Sequence, residues 1–301
     1  MNFPGQIEES LAATLAAAEV PGCPPRLANA LRHAVFPAGA RIRPQLCLAV
    51  AGACGNDDPG LAMAAAVSIE LLHCASLVHD DLPCFDDAAT RRGIASVHKA
   101  FGENLAVLTG DALIVMAFQT LAKSSGKSPL RLPTLLETIA SGVGMPFGIV
   151  AGQAWECESK VSLATYQRAK TGALFVAATT AGAQAAGADP APWRALGERL
   201  GEAYQVADDI RDVMADPHLL GKPVGQDIAL GRPSAAIDLG LAGAIEHFEA
   251  LIQSAIDAVP DSPSGGLMRQ LVRSESERLV PGKACDQYRT APSPRTRQVI
   301  A

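Results

Sequence analysis

Apolar positions along the chain recur at helical rather than alternating spacing, and each apolar run is closed by Pro, Gly or a cluster of charge. Residues 6–19 predict a short amphipathic helix, PGCPPR a turn, and residues 26–35 a second helix. In FPAGARIRPQLCLAVAGACG, Pro44 opens an apolar helix at a position that tolerates proline. The longest apolar stretch, LAMAAAVSIELLHCASLVHDDLPCFDDAATRR at 61–92, predicts a long helix that stops near Asp80 and Asp81. Pro83 cannot continue a helix and disfavours helical geometry at Leu82, so a loop carries Asp86 and Asp87. After Arg91 and Arg92 the pattern predicts a loop, then a helix from about Asn104, apolar nearly all round and so buried in a core or a subunit interface. Residues 134–158 predict one further helix with a Gly-rich centre and two polar groups, Gln153 and Glu156, near its end. Tyr166, Lys170 and Thr171 then precede a small-residue run, and residues 193–215, WRALGERLGEAYQVADDIRDVMA, predict a second long helix. Beyond a Gly- and Pro-rich loop with Lys222, Asp227 and Arg232, helical periodicity continues over 234–280 with a break at VPDSPSGG. The tail from Pro281 is Pro-rich and basic and is expected to be mobile.

No linker separates two cores in this pattern, which predicts one all-α domain over 1–301, a bundle of long helices around a deep central cavity. Composition agrees: 49% hydrophobic residues supply a sizeable core, and only 4% aromatics disfavours strands. A formal charge of -6 gives no general attraction to nucleic acid or to an anionic membrane, so anion binding would need local basic clusters. The seven cysteines form no C-x-x-C pair and read as reduced thiols of a cytoplasmic protein. The N-terminus lacks the basic start and apolar core of a signal peptide. Glu70 and His73 interrupt the most apolar run, which argues for a buried helix and against stable membrane insertion.

Clustered carboxylates at 80–87 with no local Lys repel one another unless a cation neutralises them. Oxygen-only ligands point to a hard divalent ion, Mg2+ before Zn2+, although this segment alone also fits a solvated acidic loop. His73 and Asp80 share one stripe of the helix, with Ser76 between them and Ala75, Leu72 and Leu71 on neighbouring stripes. In the second long helix Asp208 and Asp212 stand one turn apart beside Asp209, with Gln205 adjacent, close enough to share a cation. Arg41 and Arg43 at a helix start oppose the helix dipole, a conflict that a bound anion would remove. Acids and bases together suit a magnesium-bridged diphosphate, in which Mg2+ takes one or two carboxylates and leaves its other positions to phosphate oxygens and water. The apolar body beneath the acids asks for an oily substrate, which describes a prenyl diphosphate. Its ionisation yields an allylic cation that a closed apolar cavity shields from water.

HDDLPCFDDAATRRG at 79–93 and QVADDIRD at 205–212 resemble the first and second aspartate-rich motifs of the trans-isoprenyl diphosphate synthases. GARIRP at 39–44, GENLAVLTGDAL at 102–113, KTGALF at 170–175 and GKPVGQD at 221–227 resemble the other blocks of that family, in its order. The resemblance implies the isoprenoid synthase type I fold, a homodimer, and roughly two or three Mg2+ ions per site. It implies that Asp80, Asp86, Asp208 and Asp212 bind Mg2+, with Asp81 and Asp209 in support. Arg91, Lys170, Thr171, Gln205 and Lys222 would hold the allylic diphosphate; of these, Lys170, Arg91, Gln205 and Lys222 are the catalytic candidates. Arg43, His73 and Arg92 would hold isopentenyl diphosphate, whose double bond attacks the allylic cation, and released pyrophosphate would take the final proton.

The family's Gly-Gly-Lys-Arg-x-Arg-Pro block here has Ala40 in place of Lys, so either Arg41 and Arg43 suffice for isopentenyl diphosphate or its binding is weaker. Bacterial geranylgeranyl diphosphate synthases of carotenoid pathways look similar at this block and around GQAWECESK. Glu156 stands where Asp is common. Ala75 occupies the position five residues before the first Asp, where many farnesyl synthases carry a bulky aromatic. With Ser76 beside it, the cavity floor would then fall to Leu71, Leu72 or the helix around Met116, favouring a geranylgeranyl over a farnesyl product. A terpene cyclase would lack the second aspartate motif, and a non-catalytic regulatory subunit of a heteromeric synthase would typically lose one of the two.

Overall fold

The computed structural model describes residues 2–36, 39–124, 126–159, 162–214, 234–262 and 264–281. The elements are α1 (Phe3–Ala16), α2 (Pro25–Val35), α3 (Ile42–Ala53), α4 (Pro59–Asp80), β1 (Thr90–Arg91), β2 (Ile94–Ala95), α5 (Val97–Phe101), α6 (Glu103–Ser124), α7 (Leu132–Val143), α8 (Ile149–Ala154), α9 (Leu163–Gln167), α10 (Ala173–Ala185), α11 (Ala191–Met214), α12 (Ala235–Asp257) and α13 (Gly265–Leu279). Lys222, Asp227, Arg232 and the tail after Pro281 lie outside the described residues.

Helix α4 is the centre. Asp58 caps it by accepting from the Leu61 amide at 3.1 Å, Pro59 occupies its first turn, and α3, α6 and α10 surround it. Its buried leucines and alanines join those of α1, α6, α7 and α10 in one core. A second core gathers residues of α3, α10, α11, α12 and α13 around Phe175, Trp193 and Phe248. Helices α3 and α10 belong to both cores, because α10 is built of small residues and is buried nearly all round. Gly182 permits their contact, since a Cβ there would lie 2.3 Å from the Cys47 carbonyl oxygen. Each fully buried leucine contributes about 1.5–3 kcal/mol.

The structure departs from the sequence pattern in three places. The first helix starts at Phe3 because the Asn2 side chain caps it, and it ends at Ala16, leaving Glu19 to receive both Nε and Nη2 of Arg32 at 2.6 and 2.7 Å. The helix expected over 134–158 is two helices, α7 and α8, followed by a 3-10 turn at Trp155–Cys157. Pro146 supplies no amide to continue α7, and the return at Gly148 is too tight for a side chain, whose Cβ would sit 2.4 Å from the Val143 carbonyl carbon. The loop expected after Arg92 is a two-stranded antiparallel hairpin pairing Thr90 with Ala95. Arg92 and Gly93 both take positive φ, 53° and 80°, as a two-residue hairpin turn requires.

Helices α4 and α6 are each long and apolar enough to cross a membrane. Other helices cover α4, whereas α6 leaves Val107, Leu108 and Val115 exposed. Six described cysteines are free thiols.

Candidate active site

The helix that brings the first acids ends at Asp80, and Asp81 forms its C-cap. The following loop folds back on the helix end: the Asp86 amide donates to the Asp80 carbonyl at 3.0 Å and the Ala88 amide to that of Asp81 at 3.2 Å. Asp81 is buried and accepts from Arg91 Nε at 2.9 Å and from Arg91 Nη2, so strand β1 anchors the loop through this pair. Asp87 is drawn to α5, 3.0 Å from Lys99 Nζ and 3.4 Å from His98 Nε2. Asp80 and the exposed Asp86 therefore form the rim.

Opposite this rim the chain makes a π-helical turn at Arg168–Gly172, between α9 and α10. Such wide turns splay neighbouring side chains and occur at functional sites. Two glycines let other backbones press against it: a Cβ on Gly152 would lie 2.4 Å from the Lys170 nitrogen, and one on Gly201 would lie 2.6 Å from Gly172 Cα. Lys170 Nζ donates to Glu156 Oε1 at 2.6 Å and to Asp80 Oδ1 at 3.3 Å. Glu156 also accepts from the Tyr166 hydroxyl at 2.5 Å and from Gln153 Nε2 at 3.0 Å. Burial disfavours the ammonium, but the charge of Asp80, with Tyr166 and Glu156, outweighs it and holds the Lys170 pKa above the ordinary amine value. The next residue, Thr171, donates to Gln205 Oε1 at 3.0 Å, and Gln205 Nε2 donates to Asp209 Oδ1 at 3.2 Å. Asp209 Oδ2 accepts from the Ala235 amide at 2.8 Å, so this buried aspartate ties α11 to the start of α12. Asp208 is exposed and paired with Arg211, and Asp212 is half-buried. Adjacent residues of one turn thus reach both acidic segments, Lys170 to Asp80 and Thr171 through Gln205 to Asp209.

A basic patch flanks the acids. Arg43 Nη1 lies 3.3 Å from His73 Nε2, and its guanidinium stacks 4.5 Å from the centre of the Phe175 ring, a contact of about 0.5–2 kcal/mol. Arg43 Nε is buried without a partner, and burial, which outweighs the opposing charge of Glu70, holds the guanidinium below its ordinary pKa. Burial, and then the guanidinium charges of Arg43, Arg92, Arg41 and Arg91, hold His73 well below the usual imidazole pKa, so its ring is neutral. Arg92, in the left-handed turn, packs onto Gly39, where an added Cβ would lie 2.6 Å from Arg92 Nη2.

Arg41 corrects the reading of the helix start. Its side chain is buried, donates to Glu70 Oε1 at 2.6 Å, to Glu8 Oε1 at 2.8 Å and to the Val35 carbonyl at 2.8 Å, and is not exposed to a substrate anion. The negative charge that the helix start needs is internal and comes from α1 and α4. A Glu inside the apolar run at 61–79 was the sequence signal for this buried partner. Ala40 is exposed and offers only its carbonyl, which accepts from Gln45 Nε2 at 2.8 Å. The role of Glu156 was likewise not legible, although Gln153 and Glu156 at one-turn spacing in an apolar segment marked a polar site.

Below the rim, Ala75, Leu72, Leu71 and Met116 are buried in the same core, while half-buried Ser76 turns its hydroxyl to the His73 carbonyl at 2.8 Å.

Among the described residues no three His, Cys, Asp or Glu side chains lie together as a metal cage. Pairs of rim carboxylates fit Mg2+, which completes its octahedron with phosphate oxygens and water, and the donor set contains no soft ligand. The buried Arg43 Nε, without a partner, is a donor that an anion bound beside it would satisfy.

The polyprenyl synthetase family model matches residues 24–263. The chain belongs to the polyprenyl synthetase family. It is 51% identical to a geranylgeranyl diphosphate synthase of Cereibacter sphaeroides over 94% of this chain and 98% of that one. It is 47% identical to a geranylgeranyl diphosphate synthase of Rhodobacter capsulatus over 93% and 97%. Among solved structures, a geranyltransferase from Legionella pneumophila superposes with a TM-score of 0.79 at 26% identity, covering 92% of this chain and 95% of that one. A geranyltransferase from Helicobacter pylori, complexed with magnesium and isoprenyl diphosphate, gives 0.78 at 29% identity over 91% and 96%. This polyprenyl synthetase therefore has the all-α type I fold of those isoprenyl synthases.

Proposed function

We propose that the chain condenses isopentenyl diphosphate with allylic diphosphates to give geranylgeranyl diphosphate. The observation that carries this reading is the π-turn, whose Lys170 and Thr171 reach the two acidic segments and so support one divided diphosphate site. Family membership makes the chain a prenyltransferase, and the two bacterial relatives support a geranylgeranyl over a farnesyl product.

Asp80 and Asp86 on one rim and Asp208 and Asp212 on the other would hold Mg2+, which supplies neutralisation of the departing diphosphate charge. Asp81 and Asp209 are positioning residues, the first fixing Arg91 and the second fixing Gln205. Lys170, Arg91, Thr171 and Gln205 orient the allylic diphosphate, joined by Lys222 from outside the described residues. Arg43, His73 and Arg92 hold the diphosphate of the second substrate, His73 as a neutral hydrogen-bonding group. The allylic carbon–oxygen bond breaks, the isopentenyl double bond supplies the electron pair of the new carbon–carbon bond, and a proton passes to the released pyrophosphate. Leu71, Leu72 and Ala75 keep water from the allylic cation and form the wall along which product extends. The chain works as one domain, since α3 and α10 belong to both cores, and as a homodimer through the exposed apolar face of α6.

The test is incubation of the purified protein with isopentenyl diphosphate, each allylic starter and Mg2+, with chromatography of the dephosphorylated products. A twenty-carbon product supports the reading. A fifteen-carbon end product would favour farnesyl synthesis, and no condensation would favour a regulatory subunit.

A further inference from the structure

Arg43 holds the position expected of a diphosphate ligand, yet its own polar anchoring is slight: one contact to His73 and a buried Nε without a partner. What fixes the guanidinium is the face of Phe175, at 4.5 Å. Phe175 is fully buried and rests against Tyr204 of α11, ring centres 4.5 Å apart and tilted by 43°. The Tyr204 hydroxyl donates to Glu275 Oε2 at 3.1 Å and accepts from Arg278 Nη2 at 2.9 Å, while Arg278 Nε donates to the same Glu275 oxygen at 2.8 Å. Glu275 and Arg278 belong to α13, which also packs on α3, the helix that carries Arg43. Helix α13 lies beyond the residues that match the family model.

We infer that Tyr204, clamped by Glu275 and Arg278, is a positioning residue that sets the orientation of Arg43 through Phe175, so that α13 tunes affinity for isopentenyl diphosphate. This rests on the proposed function in giving Arg43 a diphosphate to bind. A buried hydroxyl with two charge-assisted partners has one low-energy position, and a ring so fixed leaves the ring packed against it little freedom to reorient. The plane on which Arg43 lies is thereby fixed from a helix that contributes no ligand of its own.

The experiment is calorimetric titration of the full-length protein with isopentenyl diphosphate and, separately, with geranyl diphosphate in Mg2+. Wild type is compared with Tyr204→Phe, Arg278→Gln and Arg278→Lys. Tyr204→Phe and Arg278→Gln should weaken isopentenyl diphosphate by about fivefold, a loss typical of a misplaced cation contact, and leave geranyl diphosphate within about twofold. Arg278→Lys should recover part of the affinity. In an Arg43→Gln background, Tyr204→Phe should cause no further loss, because the route to the ligand is already cut. Equal weakening of both ligands, unchanged affinity in the variants, or additive effects with Arg43→Gln would overturn the inference while leaving the proposed function standing. Arg278 is half-exposed, so its replacement reads the clamp without disturbing the core even if Tyr204→Phe folds poorly. No binding of isopentenyl diphosphate by wild type rejects the proposed function, and the inference with it.

Discussion

The two acid-bearing helices solve the same electrostatic problem differently. Each carries adjacent aspartates of which one turns inward and the other stays on the rim: Asp81 against Asp80 in α4, Asp209 against Asp208 in α11. At the end of α4 the inward Asp81 meets a full cation, Arg91, whereas in α11 the partners of the inward Asp209 among the described residues are Gln205 and the Ala235 amide. The helix bodies differ too. Helix α4 is sheathed by other helices, while α11 shows Arg194, Glu198, Arg199 and Glu202 to solvent and buries its other side against α10 and α12. An acidic doublet thus divides into one inward carboxylate that ties elements together and one left on the rim, and only α4 continues into a buried, mostly apolar body.

The largest effect should come from the rim. Asp80→Ala and Asp208→Ala should each lower kcat/KM by about 10^2–10^3, the scale of losing a pre-organised charge contact in an active site, with unfolding midpoints close to wild type. Steady-state kinetics and thermal denaturation measure the two quantities. The inward residues should show the reverse. Asp81→Asn leaves Arg91 without its counter-charge and should cost about 2–3 kcal/mol, less than a fully buried pair because the guanidinium is 20% exposed. Asp209→Asn, whose described partners are the Gln205 amide and the Ala235 N–H, should cost about 1 kcal/mol. Equal losses in urea unfolding would break the distinction between the two helices.

Much of this was legible in residue order. Pro83 marked the end of α4, the spacing of Asp208 and Asp212 marked their common face, and the Ala-rich pattern marked an all-α chain. Arg41 was not legible, because nothing local distinguishes it from Arg43; Glu8 and Glu70, distant in sequence, decide which guanidinium is buried. The π-turn was equally hidden, since it depends on Gly152 and Gly201 pressing from α8 and α11. The hairpin at Thr90–Ala95 is too short for strand periodicity to register, and its Arg-Gly turn is an unusual pair for two positive φ angles.

Smaller effects sharpen the contrast between the helix bodies. Ala75→Tyr should shorten the main product, at about 1–3 kcal/mol of overpacking, whereas α11 has no corresponding wall position; unchanged chain length on chromatography would remove α4 from that role. His73 on α4 makes a pH signature. Its folded pKa lies below the unfolded value of about 6.5, so its contribution to stability is present above that pH and is lost as pH falls through the folded value. His73→Gln should flatten the acid side of the stability profile by at most about 1.4 kcal/mol per pH unit, read by denaturant unfolding from pH 7 downward. The smallest change expected is from Ala40→Lys, an exposed position beside the basic patch, which should lower KM for isopentenyl diphosphate by about two- to threefold without altering product length. A raised or unchanged KM in steady-state kinetics would show that Arg43, His73 and Arg92 already complete that pocket.

That the two rims form one divided site is tested most directly by a double-mutant cycle on diphosphate affinity. Calorimetric titration of geranyl diphosphate in Mg2+ into wild type, Asp80→Ala, Asp208→Ala and the double variant gives the coupling. A single site bridged through Lys170 and Thr171 predicts that the double variant binds little worse than the weaker single variant, with a coupling energy above about 1 kcal/mol. Losses that simply add would contradict it.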